Sequence, residues 1–165
     1  MTIAQIVATV GGVGYLRPAP GTWGSAAALP LAALLHLIGG PWLLVIGIVA
    51  AFFEGLWATT AVTRWGDDHD PSYVVIDEVV GQWVALLPLS FGAWHAGVSV
   101  FDLWPGWIAA FVLFRLFDIF KPGPIGWADR RHTPLGVMLD DVIAGVFAAI
   151  GVIALAALAH GLMGA

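Results

Sequence analysis

The chain has 165 residues, of which 60% are hydrophobic and only 10% charged; this is too apolar for an ordinary soluble domain and too short for two. Its net charge is −5 and its six basic residues are scattered, so it lacks the basic stripe that nucleic-acid binding requires. It contains no cysteine, which excludes disulfides, thiolate metal sites and cysteine-phosphatase chemistry.

Residues 3–16 are apolar, with Gly11, Gly12 and Gly14 inside the run. No positive flank precedes them, unlike a cleaved signal peptide. The run is too short to span a bilayer, which predicts a re-entrant or interfacial helix. From Arg17 to Ser25 the chain carries Pro18, Pro20, Gly21 and Gly24 and is expected to be irregular. Ser25 is then expected to cap a first apolar helix that ends near Ile38. Gly39-Gly40-Pro41 predicts a tight turn. A second helix over 42–64 is long enough to cross ~30 Å of hydrocarbon at about 1.5 Å per residue.

Residues 65–73 predict a polar loop with Asp67, Asp68, His69 and Asp70. A third helix over 74–89 has Asp77, Glu78 and Gln82 in its first half. After a loop over 90–103, a fourth helix over 104–120 is stopped by Pro122 and Pro124. The loop over 121–135 holds Asp129, Arg130, Arg131 and His132, and a fifth helix runs from about Leu139 to His160. The expected fold is all-α: a polytopic membrane helical bundle of about five transmembrane helices plus the short N-terminal helix, in one domain over 1–165.

If five helices alternate across the bilayer, Arg17, Arg64, Arg115, Lys121, Arg130 and Arg131 fall on one side. Basic residues stay cytoplasmic, so the N-terminus is expected inside and the C-terminus outside. Trp23, Trp42, Trp65, Trp94, Trp104 and Trp127 lie near helix ends, as in interfacial aromatic belts. The same topology brings the Thr22 loop, Asp77-Glu78, Arg115/Asp118/Lys121 and Asp140-Asp141 to one membrane face.

Charge in or beside hydrocarbon is unfavourable and marks a functional site by default. The two acidic pairs supply hard oxygen ligands, which suit Mg²⁺ or Mn²⁺ and not zinc. For Asp140-Asp141, capping of the fifth helix is an equally good explanation. It is a poorer one for Asp77-Glu78, which are expected a few residues inside their helix. Arg115, Asp118 and Lys121 recur at i, i+3 and i+6. They form either an internal salt bridge with a snorkelling lysine, or an anion clamp in which Arg115 and Lys121 hold phosphate oxygens and Asp118 orients them or binds metal. The Pro-Gly-Thr-Trp-Gly-Ser turn, with Thr22 and Ser25, also suits phosphate at a helix start. Asp67, Asp68 and Asp70 are expected to be solvated. The five histidines show no ligand spacing, and Glu54 has no assigned role.

Four stretches in order carry a resemblance: Gly12 to Ser25 (GVGYLRPAPGTWGS), Ile76 to Trp83 (IDEVVGQW), Phe114 to Ile125 (FRLFDIFKPGPI) with Asp129-Arg130, and Gly136 to Gly145 (GVMLDDVIAG). Across nearly its full length the chain resembles the phosphatidylglycerophosphatase A family. The resemblance implies an all-helical membrane enzyme; the hydropathy and the basic-residue topology above place it in a bacterial-type inner membrane with its site expected at the cytoplasmic face. The implied reaction removes the terminal phosphate of phosphatidylglycerophosphate with Mg²⁺, leaving phosphatidylglycerol. The implied partners are that lipid and the bilayer. Asp77, Glu78, Asp140 and Asp141 are the expected metal carboxylates, and Asp77, Glu78, Asp118 and Asp141 the expected catalytic acids. Thr22, Ser25, Arg115, Lys121 and Arg130 are expected to contact the phosphate. Direct attack by water is the expected route, with a phosphoaspartate on one of the acids as its rival. Two other readings stand beside it: a phosphatase for a different phospholipid, and a transport or channel subunit using the acids as an ion path. The second is weaker, because only Glu54 and Asp102 would continue such a path.

Overall fold

Proline at the first position of a helix lacks only an amide proton that would be unbonded anyway, and its fixed φ suits the helix. The computed structural model, which describes residues 1–64 and 70–163, shows this at Pro20. Helix α2 (Pro20–Thr63, 44 residues) begins there, inside the stretch expected to be irregular. Ser25 is therefore not its cap: the Ser25 hydroxyl donates back to the Gly21 carbonyl at 2.9 Å. The predicted turn at Gly39-Gly40-Pro41 is present as a sharp break, with Gly40 at φ 63°, a left-handed value that favours glycine. The two arms of α2 fold back on each other there, since a Cβ on Gly47 would meet Leu35 of the preceding arm.

Before α2 lies α1 (Ile3–Ala8), closed by a reciprocal Thr2–Gln5 capping box, followed by a 3₁₀ turn at Val13–Tyr15. After it come α3 (Ile76–Ala96), a 3₁₀ turn at Val100–Leu103, α4 (Trp104–Phe120), α5 (Pro124–Asp129) and α6 (Pro134–Met163). There is no strand among the described residues. Expectations for Trp65, Asp67, Asp68 and His69 lie outside the described residues.

Three further differences from expectation lie after α2. Helix α3 runs on to Ala96, through much of the expected 90–103 loop, and ends at left-handed Gly97. The short helix α5 occupies part of the expected 121–135 loop. Helix α6 begins at Pro134, not near Leu139, so Asp140 and Asp141 lie more than a turn inside it and cannot be its cap. Asp77 and Glu78 instead sit in the first turn of α3, where the helix dipole favours negative charge. The capping explanation thus passes from one acidic pair to the other.

Three helical segments are long and apolar enough to cross a membrane: Pro20–Thr63, Val100–Phe120 and Pro134–Gly161. Their outward faces are apolar, with Ile46, Phe53, Ile108, Ile119, Ile150 and Ile153 all exposed. Trp23, Trp42, Trp94, Trp104 and Trp127 are exposed as well. Trp83 is buried instead, and its Nε1 donates to the Ala28 carbonyl at 2.9 Å.

Helix α3 is the centre, packed chiefly on α2 and α6. Small residues let the backbones close in: Gly81 and Ala85 on α3 face a stripe of Ala144, Gly145 and Ala148 on α6. A Cβ on Gly81 would meet the Asp141 carbonyl oxygen and Phe114 Cε2, each at 2.5 Å. Backbone cannot yield there, so Gly81→Ala is expected to destabilise the protein by about 1–3 kcal/mol, measured by thermal unfolding in detergent.

Candidate active site

The start of α2, the start of α3, the end of α4 and the first half of α6 meet around a cavity of about 310 Å³. Asp77, Glu78, Asp118, Asp140 and Asp141 line it, together with Arg115 and Lys121. A larger cavity of about 460 Å³, lined by Leu89, Leu103, Val152 and Leu155 among others, is almost wholly apolar.

One carboxylate oxygen each from Asp77, Glu78 and Asp141 lies within 4.8 Å of the other two. Asp77 Oδ1, Glu78 Oε2 and Asp141 Oδ2 are buried and have no hydrogen-bond partner. Three convergent carboxylates with unsatisfied oxygens are unfavourable by desolvation and by mutual repulsion. A hard divalent cation relieves both, and the all-oxygen donor set suits Mg²⁺ or Mn²⁺. These residues therefore fit the metal that the sequence pattern anticipates.

Asp140, expected among the metal carboxylates, is engaged elsewhere. Its Oδ2 accepts from Lys121 Nζ at 2.6 Å, and its Oδ1 accepts from the Asp141 backbone N–H at 3.0 Å. Lys121 also donates to Asp129 Oδ1 at 2.5 Å. Burial alone would lower the Lys121 pKa, but Asp129 and Asp140 outweigh it and hold the ammonium above the ordinary lysine value. Lys121 thus braces α4, α5 and α6 through two carboxylates, where the sequence offered either a snorkelling lysine or an arm of a phosphate clamp.

Arg115 keeps more of its expected place. Its Nη1 pairs with Asp118 Oδ2 at 2.5 Å, lies 3.4 Å from Ser25 Oγ, and stands 4.0 Å from Glu78 Oε1. The internal salt bridge and the cavity-facing guanidinium, posed as alternatives from sequence, coexist. Ser25 reaches the site only through Arg115. Thr22 is half-buried and Arg130 exposed, and neither lines the cavity. Arg130's neighbour Arg131 stacks over Trp127, 4.0 Å from the ring centre. Glu54 stays apart, exposed on the second arm of α2.

Sequence reasoning missed four participants. Gly21 lines the cavity where Thr22 was expected, and a Cβ on it would collide with Glu78 Oε1. Asp70, expected to be merely solvated, and Ser72 also line it. Asp129 holds Lys121. Gly21 was within reach, since it belongs to the Pro-Gly-Thr-Trp-Gly-Ser turn already read as suited to phosphate.

Buried acids that can accept a hard cation, a guanidinium beside them, and an apolar helical shell define an all-helical protein with membrane-length helices and a charged cavity between them. The profile of the family described as phosphatidylglycerophosphatase A matches residues 6–156. The chain is 36% identical over 146 residues to phosphatidylglycerophosphatase A of Haemophilus influenzae, covering 87% of this chain and 83% of the relative. It is 35% identical over 141 residues to phosphatidylglycerophosphatase A of Escherichia coli, covering 84% and 74%. A third relative, from Bacteroides thetaiotaomicron, is 38% identical over 88% of each chain and is provisionally named a phosphatidylinositol-3-phosphatase. The chain belongs to the phosphatidylglycerophosphatase A family. No solved structure matches it.

Proposed function

We propose that this chain is a Mg²⁺-dependent phosphatidylglycerophosphatase, cleaving the terminal phosphate monoester of phosphatidylglycerophosphate to give phosphatidylglycerol and phosphate. The observation that carries the reading is the trio of unpartnered buried oxygens on Asp77, Glu78 and Asp141 in a cavity shared with Arg115.

Phosphate monoesters hydrolyse very slowly in water, so catalysis must stabilise charge on the transferring group. Asp77, Glu78 and Asp141 would hold Mg²⁺, which when bound neutralises that charge and polarises phosphoryl oxygen. Arg115 binds phosphate oxygens through N–H groups not committed to Asp118. Asp118 fixes the plane of the guanidinium, and Ser25 supports it from below. Lys121 adds positive potential and ties Asp140 out of the way of Asp141. Water attacks phosphorus, the bond to the glycerol oxygen breaks, and that oxygen leaves with a proton.

The two arms of α2 together with α3, α4 and α6 supply the five crossings of this reading. Helix α1 lies in the interface with Ile3 and Ile6 outward, both exposed. The cytoplasmic face of an inner membrane holds the site, with the N-terminus inside and the C-terminus outside. The support is the position of Arg17 before α2, Arg64 after it, Lys121 after α4, and Arg130 and Arg131 between α5 and α6, the helix ends that five alternating crossings bring to the side of the site.

The test is phosphate release by purified protein from phosphatidylglycerophosphate. Release is expected with Mg²⁺, with a fall of at least about 100-fold in EDTA and recovery on adding Mg²⁺ back. Absence of metal-dependent release overturns the reading. The name of the Bacteroides relative favours one second reading, the same chemistry on another headgroup. Comparing kcat/KM on phosphatidylinositol 3-phosphate in the same assay decides between them.

A further inference from the structure

The buried polar groups of the site extend below the acids. Gln82 is 0% exposed, and neither its Nε2 nor its Oε1 has a hydrogen-bond partner. Buried side-chain amides are almost always paired, and this one offers two donors and two acceptors.

Its neighbours fix where it faces. Gly81 backs onto Phe114 of α4 and the Asp141 carbonyl of α6. Trp83 turns the other way and donates to Ala28 on the first arm of α2. At about 100° per residue, Gln82 falls between these directions, towards the seam of α2 and α4, one turn deeper than Glu78. Ser25 and Arg115 occupy the same seam, joined at 3.4 Å. Two more buried atoms of the residues next to it, Glu78 Oε2 one turn up α3 and Arg115 Nε on the seam's α4 side, lack partners. An uncharged side chain that both donates and accepts is suited to link a carboxylate to a guanidinium nitrogen.

We propose that Gln82 is a positioning residue: its amide holds an internal water against Glu78 Oε2 and Arg115 Nε, and so fixes the Glu78 carboxylate towards Asp77 and Asp141. A buried polar layer with several convergent partners is where proteins keep ordered water. The inference rests on the cation-binding reading of the three acids, and it reaches beyond them to a residue that touches neither substrate nor metal.

The test uses Mn²⁺ alone as the probe, with binding to the detergent-solubilised full chain followed by electron paramagnetic resonance. Gln82→Met and Gln82→Leu are expected to weaken Mn²⁺ binding about tenfold, the scale of lost supporting contacts at metal ligands. Thermal unfolding without metal is expected to fall by a few degrees with the fold kept, since Glu78 Oε2 and Arg115 Nε lose the group that joined them. In turnover assays kcat falls and KM for the lipid holds. A folded variant that binds Mn²⁺ as wild type does overturns the inference and leaves the phosphatase reading intact. Failure of both variants to fold also overturns it, because the residue would then serve packing. Wild-type protein that binds Mn²⁺ in a Gln82-dependent way but releases no phosphate refutes the phosphatase reading and leaves this inference standing.

Discussion

Asp141→Asn and Glu78→Gln are each expected to lower phosphate release by about 10³-fold or more while the protein keeps its fold. Each substitution preserves shape and removes one negative charge from a group of three whose oxygens lie within 4.8 Å. Without metal, that removal relieves repulsion and desolvation, so the variants are expected to melt at or above the wild-type temperature. With metal the order reverses. A cation that binds only the folded state stabilises it by about 2.7 kcal/mol at 100 times its dissociation constant, and the variants lose that gain. Melting curves with and without Mg²⁺, set beside phosphate release, check both signs. Unchanged activity in both variants would return these acids to a structural role.

Arg115→Met is expected to abolish turnover and to destabilise the protein by about 3–5 kcal/mol, the usual effect of breaking a mostly buried ion pair. Asp118 would lose its partner at 2.5 Å, and Glu78 the positive charge at 4.0 Å. The double variant Arg115→Met/Asp118→Leu separates the two effects. Removing both charges is expected to recover most of the stability, because no buried carboxylate is stranded at position 118, while activity stays lost. Thermal unfolding and phosphate release on the same preparations measure this. An active double variant would show that Arg115 does not hold the phosphate.

Much of this site was legible because charge is conspicuous in an apolar chain. Asp77, Glu78, Asp141 and Arg115 stood out on those grounds, and the structure brings them to one cavity. The Gly39-Gly40-Pro41 turn was legible because consecutive glycines before a proline interrupt a helix. Other features depended on context that local rules do not carry. Pro20 reads equally as a breaker or as a first helical residue, and only packing of Gly21 against Glu78 and Gly24 against Val75 favours the second. The start of α6 was hidden because Pro134 opens it several residues before the apolar run becomes obvious. The separate fates of Asp140 and Asp141 were out of reach, since what divides them is the position of Lys121, nineteen residues away in the chain.

That division follows from rotation about one axis. Neighbouring residues on a helix point about 100° apart, so Asp140 and Asp141 behave like two teeth on one shaft. Lys121 grips the first and is itself anchored by Asp129 on α5, which sets the angle at which the second meets Asp77 and Glu78. The valence of the centre is therefore encoded in the phase of α6 as much as in its carboxylates: turned by one residue, Asp140 would meet Asp77 and Glu78 in place of Asp141, and Asp141 would face away from both Lys121 and the centre.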